Sequence, residues 1–568
     1  MKNFIVILFF AVIPHMASAV ALAHDTLCYK VADYGAKGDG RTDDLPALSR
    51  LMKEVSHQSV PVKIIFRSNA IYRIGAHTQD CDGRIFINRA NNLTIDGRGS
   101  TLMVHPSSRA FAIYRSNNVV IRNFKIDYSP LPYTQGRVTK TDSEHFYLEF
   151  KIDEGYPLPM VGGEEYYSGG KMVDCITASG ENRKFYQGHS WVKEVTLLGD
   201  RTYGVRYALR DQRQLRIGDY FCMKVTYPES ELRRNEETSD KHELGEFMYT
   251  NTGNITALAS NGLVLENIVS YASPMMTVVL KGCSNHVIRN CSIQAYKERI
   301  VAGCSDGIHL KGNEHQPQIL NCYIERTMDD AIHIKMSGDE IKEIYSPRRF
   351  KIAHKDIMWD NTNLGTGKEV MLFDLKSSKQ LAMRKIASYE PINYREGIVT
   401  LDDDVAGLNE NVCLYLQSDE EAIIENCGFG TQLQRGILTH QPTKVTNCSI
   451  IDNGLGFALG LYSDGIEGPP TQRLTVERCV FRNLVYGGLE VDCPSLNYDQ
   501  KGCPQLTIQK CIFDLPQGVP VLSVKNSKGV SLKDNIYYYC GELPKEEELF
   551  KLDNTRVLKS ENNQYIKK

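Results

Sequence analysis

The chain has 568 residues, 42% hydrophobic and 24% charged, with a formal net charge of −3. Its length exceeds the usual single domain, so one extended core or several domains must be accounted for. The near-neutral charge gives no electrostatic basis for a nucleic-acid partner or an anionic membrane surface.

At the N-terminus Lys2 precedes the apolar run Phe4 to Ile13, followed by Ala17-Ser18-Ala19 and Ala21-Leu22-Ala23. This is the three-part layout of a cleaved secretory signal, with the run too short to span a bilayer comfortably. Residues 1–23 are therefore read as a signal peptide, cut after Ala19 or Ala23. The expectation is an exported protein, periplasmic or secreted, without membrane insertion. Next, Thr42-Asp43-Asp44 offers a helix N-cap, and Leu45, Leu48, Leu51, Met52 and Val55 follow at helical spacing. Such a helix suits the cap over the first coil of a solenoid.

A unit of the form apolar-x-apolar-x-Asn-Cys-x-apolar then recurs. It appears at Asn290-Cys291, Asn321-Cys322, Asn426-Cys427 and Asn447-Cys448, and degenerates to Arg478-Cys479 and Lys510-Cys511. Earlier copies without cysteine surround Asn123 and Asn267. Irregular steps of roughly 20–32 residues describe a solenoid whose loops vary while its strands keep register. Within each unit Cys291 and Ile293, Cys322 and Ile324, and Cys448 and Ile450 share one face. Stacked coils set these cysteines about 4.8 Å apart in a common core, which predicts reduced thiols, not disulfides. The preceding asparagines suit tight turns, where Asn tolerates the left-handed region and neighbouring amides can satisfy one another.

The repeat lapses from about Gln135 to Tyr249 and from about Ser337 to Ser418, where short alternating segments predict two β-rich, barrel-like insertions. The expected organisation is residues 24–134 as N-terminal coils and cap, 135–249 as the first insertion, and 250–336 as central coils with the active site. Residues 337–418 form the second insertion and 419–568 the C-terminal coils.

The chemistry lies at the start of a second strand in each coil. One coil carries Ser305-Asp306-Gly307-Ile308-His309-Leu310, the next Asp329-Asp330-Ala331-Ile332-His333-Ile334. Aligning Ile308 with Ile332 stacks Asp306 on Asp330 and His309 on His333. His309, Lys311, His333 and Lys335 then point outward onto one surface. Three crowded carboxylates raise at least one pKa, as a general acid requires. An inverting glycosidase places acid and base roughly 6.5–9.5 Å apart, a span that facing coils can supply. Here Asp329 or Asp330 protonates the leaving oxygen, and Asp306 with the other activates water. His309, His333, Lys335, Arg435 and Glu490 are candidate substrate contacts on the same face. Asp402-Asp403-Asp404, by contrast, falls in an insertion turn with no matching coil. No metal-ligand or cofactor motif is evident, so hydrolysis is expected to need neither.

The segment Ala32 to Asp44 (ADYGAKGDGRTDD) resembles the opening of the pectate-lyase-like right-handed β-helix superfamily. Asp306 followed by Asp329-Asp330 resembles the polygalacturonases, whose inverting trio sits on successive coils. The likeness to the bacterial exo-α-1,3-galactosidases is closer. It rests on Asp306-Gly307-Ile308-His309, on Met328-Asp329-Asp330-Ala331, and on Asp127 to Gln135 leading into the first insertion. The family's Asn-x-His-Gly run is replaced here by His333-Ile334-Lys335-Met336. The resemblance implies an all-β, right-handed parallel β-helix with an N-terminal capping helix and two barrel-like insertions. It further implies an inverting glycoside hydrolase removing terminal, α-1,3-linked galactose from an oligosaccharide or polysaccharide. The alternatives are a lyase or polygalacturonase-like hydrolase acting on uronate polymers, for which Lys311, Lys335 and Arg435 would serve, and a glycan-binding solenoid without turnover. The sequence leaves the oligomeric state open.

Overall fold

The computed structural model describes residues 26–568 except 57, 77–82, 160–172, 187–189, 210–214, 226–253, 314, 337, 355–363, 378, 394–395, 417–419, 461–466, 470, 472 and 493–504. The segment read as a signal lies outside the described residues.

The chain folds as a right-handed parallel β-helix interrupted by two closed barrels of six strands each. One face of the solenoid is an 11-stranded parallel sheet running from Arg84–Asn88 to Phe550–Asp553. Its central strands are Val278–Lys281, Ile308–Lys311, Ile332–Lys335 and Arg435–Thr439, each paired in parallel with the next. A second sheet of 23 strands makes up the remaining walls.

The turns explain the Asn-Cys repeat. Asn123, Asn267, Asn290, Asn321, Asn426 and Asn447 all have φ between 53° and 61°, a region that Asn tolerates better than most residues. Their amides form a ladder: Asn267 donates to Asn123 at 2.7 Å, Asn321 to Asn290 at 3.2 Å and Asn426 to Asn321 at 3.1 Å. Where the repeat degenerates, Arg478 adopts φ 53° and its Nε donates to Asn447 Oδ1 at 2.7 Å. The cysteines among the described residues are free thiols. Cys322, Cys427, Cys448, Cys479 and Cys511 are buried in the core, and Cys291 is partly so. Their thiols donate to the carbonyl two residues earlier, as from Cys448 to Thr446 O at 3.2 Å. Further along, the core becomes an aromatic ladder of Phe457, Phe481, Phe513 and Tyr537, on which the exposed Tyr565 stacks at the end.

The helix Leu45–Val55 buries Leu45, Leu48, Leu51, Met52 and Val55 over the first coil. Asp44 is its N-cap by position, yet its carboxylate accepts from Lys37 N at 2.6 Å, tying down the preceding glycine-rich loop. Asp43 instead accepts from Leu45 N at 3.1 Å.

Strands between Tyr133 and Lys224 form the first barrel and strands between Gly338 and Leu416 the second, each around its own apolar core. Both are fixed next to the central coils. The second begins three residues after Lys335. The first is docked by Tyr133 Oη, which donates to Val301 O at 2.7 Å, and by Gln135 Oε1, which accepts from Ile300 N at 2.8 Å. Beside them Arg299 grips Asp127 with two bonds of 2.6 and 3.0 Å.

Candidate active site

The strand pairing places Ile308 opposite Ile332 and His309 opposite His333. One step further, Ile332 lies opposite Ile437. Asp306, Asp330 and Arg435 therefore occupy one column where the chain enters successive strands. Backbone bonds lock it: Gly307 N donates to Asp330 O and Ala331 N to Arg435 O, both at 2.9 Å. Gly307 is required here, because a Cβ would come within 2.6 Å of Ala331 O and 2.7 Å of Ile324 Cγ2.

A buried amide pins the Asp-Asp turn. Thr327 Oγ1 donates to Asp329 O at 3.2 Å and Asp330 O at 3.3 Å. Thr327 N donates to Gln432 Oε1 at 3.1 Å, and Gln432 Nε2 donates across the core to Ile324 O at 2.7 Å. The two aspartates thus leave a rigid backbone, which suits a catalytic constellation.

Within the trio, one carboxylate oxygen from each of Asp306, Asp329 and Asp330 lies within 4.8 Å of the others. This approach is closer than the roughly 6.5–9.5 Å separation expected from the sequence. Stacking two residues on adjacent coils sets about 4.8 Å between them, and Asp329 is a chain neighbour of Asp330.

Proximity without balanced counter-charge drives the three proton affinities apart. Burial acts to raise Asp306. His309 Nδ1, 2.6 Å from its Oδ2, and His333 Nδ1, at 3.6 Å, outweigh that and hold it below the usual carboxylate range. Asp329 is pushed well up by burial and by the adjacent Asp306 and Asp330 charges. Burial pushes Asp330 up to about 7, against the opposing pull of Arg435, whose Nη1 lies 3.2 Å from Asp330 Oδ2. Burial depresses His333 to about 3, leaving it neutral near pH 7.

The surface expected to be open is covered. Asp306, His309, His333, Lys335 and Asp330 are all buried, Arg435 and Asp329 are half-buried, and the His309 and His333 rings meet at 4.7 Å. Glu490 does not join them: it is exposed and pairs with Ala458. It sits three coils from His333, about 14 Å along the axis at about 4.8 Å per coil.

Two members of the site went unread in the sequence. Glu467 Oε2 lies 3.7 Å from His333 Nε2, and Met336 N donates to Glu467 O at 3.0 Å. His440 is buried with its ring 6.3 Å from that of His333. The signal that marks them is Glu467-Gly468-Pro469. A Cβ on Gly468 would come within 2.8 Å of His440 Cβ and 3.1 Å of Met336 Cβ, so only glycine brings this loop so close. Among the described residues, side chains able to hold a cation form three overlapping groups: Asp306 with His309 and His333; Asp306 with Asp329 and Asp330; and His333 with His440 and Glu467.

No family model matches the chain. Among curated proteins it is 26% identical over 460 residues to alpha-1,3-galactosidase B of Bacteroides thetaiotaomicron, covering 75% of this chain and 69% of that protein. It is 22% identical over 528 residues to alpha-1,3-galactosidase A of the same organism, covering 87% and 88%. Among solved structures, an exopolygalacturonase from Thermotoga maritima aligns over 95% of this chain and 90% of its own, with a TM-score of 0.38 and 12% identity. With the likeness to the two galactosidases extending through the coils that hold the aspartates, the chain is a glycoside hydrolase built on a right-handed parallel β-helix.

Proposed function

We propose that this protein removes terminal galactose, α-1,3-linked above all, from glycans, with Asp329 as general acid and Asp306 with Asp330 as the water-activating pair. The observation that carries the reading is the divergence of three clustered carboxylates: one held below the usual carboxylate range by two histidines, one pushed well above it by burial and its neighbours. Asp329 gives its proton to the glycosidic oxygen as the bond from that oxygen to the anomeric carbon breaks. Water attacks that carbon, and its proton passes to the Asp306–Asp330 pair. Arg435 favours the charged form of Asp330 and so assigns it to the base side. His309, His333, Lys335 and Glu467 surround the aspartates, and their burial suits one terminal sugar better than a continuous polymer.

The test is to incubate the purified protein with an α-1,3-galactobioside and follow the anomeric protons by NMR. Early release of β-galactose establishes inversion, the outcome implied by the family resemblance. Early α-galactose would instead establish retention through a covalent intermediate and overturn the direct attack of water. An ultraviolet-absorbing unsaturated product from a uronate polymer, with no galactose released, would replace the hydrolase reading by a lyase one. Export is proposed with this function. N-terminal sequencing of the protein from its native host should begin just after Ala19 or Ala23.

Two further results are expected. Treatment with a chelator should leave turnover undiminished, because each proton transfer is assigned to an aspartate; a loss restored by Ca²⁺ would refute this. Removing the cation in Arg435→Leu should raise the Asp330 pKa above about 7, since a nearby positive charge favours the ionised form. Because Asp330 acts ionised, the acidic limb of the kcat/KM profile should move to higher pH. A limb that stays in place would take Asp330 out of the base role.

A further inference from the structure

The face formed by His333, His440 and Glu467 has features that sugar hydrolysis does not call for. One ligand atom of each lies within 4.8 Å of the others. His333 is nine-tenths buried, and its Nε2 has no hydrogen-bond partner among the described residues. The nearest acceptor, Glu467 Oε2, stands 3.7 Å away, too far for a hydrogen bond. That gap is one a cation spans, since two metal–ligand bonds of about 2.0–2.1 Å bridge it at an open angle.

The far side of each ring supports the same reading. His440 Nδ1 lies 3.1 Å from Pro469 O. A carbonyl only accepts, so Nδ1 carries the hydrogen and, in the neutral ring, Nε2 presents a lone pair. Behind His333, Nδ1 faces Asp306 Oδ2 at 3.6 Å. A carbonyl bonded behind a ligating imidazole, as at His440, is the arrangement that orients histidines toward a metal.

We propose that His333, His440 and Glu467 form a binding site for a divalent transition-metal ion of the Zn²⁺ class, exchangeable and exclusive with sugar. Two imidazoles and one carboxylate favour Zn²⁺, Co²⁺ or Ni²⁺ over Mg²⁺ or Ca²⁺. Lys335 and Arg435 both act on the Glu467 carboxylate and compete with a cation for it, which makes the ion exchangeable. The exclusion of sugar rests on the proposed galactosidase site, because His333 and Glu467 belong to both. The metal site itself does not depend on that reading.

The experiment is calorimetric titration of the full chain with ZnCl2 in the absence of substrate, together with the visible spectrum of the Co²⁺-loaded protein. One saturable site with a Co²⁺ d–d band is expected, weakened by at least about 10-fold in His440→Gln. In His440→Gln the turnover that remains should no longer be inhibited by Zn²⁺, and free galactose should raise the apparent Kd for Zn²⁺ in the wild type. If His440→Gln does not fold, Glu467→Gln is titrated in its place, with the same loss expected. Absence of a saturable site, or affinity unchanged in the variant titrated, overturns the proposal. Zn²⁺ binding without galactosidase turnover would overturn the hydrolytic reading alone.

Discussion

Asp329→Asn should lower kcat on an α-1,3-galactobioside by about 10²–10⁴-fold, the range typical of a lost general acid or base. The loss should shrink sharply on an α-galactosyl fluoride, whose leaving group needs no proton. Asp306→Asn should lose activity on both substrates, because water must still be activated. A variant of Asp329 equally impaired on both would move the acid role to Asp330. Stability should respond in the opposite sense. Burial and two neighbouring carboxylates penalise the charged form of Asp329, so the neutral amide costs the fold nothing in charge repulsion. The melting temperature of Asp329→Asn should therefore equal or exceed that of the wild type.

The largest structural effect is expected at Phe481. It is fully buried, with its ring centroid 5.1 Å from Phe457 and 4.7 Å, stacked, from Phe513. Truncating such a ring leaves a cavity and costs about 3–5 kcal/mol. In a solenoid each coil is held by its neighbours only, so this loss stays local. Phe481→Ala should therefore expose the coils after Leu455 to protease at a temperature where those around Asp306 stay protected. Uniform cleavage along the whole chain would show that the solenoid melts as one unit.

The register of the site was legible in the sequence because strands alternate with a period of two. Ile308, Leu310, Ile332 and Ile334 must face the core, and that alone stacks Asp306 on Asp330 and His309 on His333. The same logic carried Arg435 into the column of Asp330, 105 residues on, since the second barrel leaves and rejoins the solenoid without shifting the pairing. Turn chemistry made the Asn-Cys ladder readable for the same reason: a local φ above zero and a stacked amide both depend on residue type.

Alignment along the column did not tell how far a residue stands from the aspartates, and so Glu490 was grouped with them although it is exposed and coils away. Nor did it show that the outward face is covered. His309 and Lys311 look solvent-facing from alternation, yet both are buried. Glu467 and His440 reached the site through one close approach at Gly468, a contact that no period announces. The sequence by itself determined the solenoid, its inward ladder and the column of carboxylates, since each follows from local backbone preference repeated at a fixed spacing. Only the tertiary structure decided the burial of the site, its charge balance and the approach of His440 and Glu467 to His333. These depend on distant loops brought together in space, and on burial, which sets the proton affinity of each carboxylate.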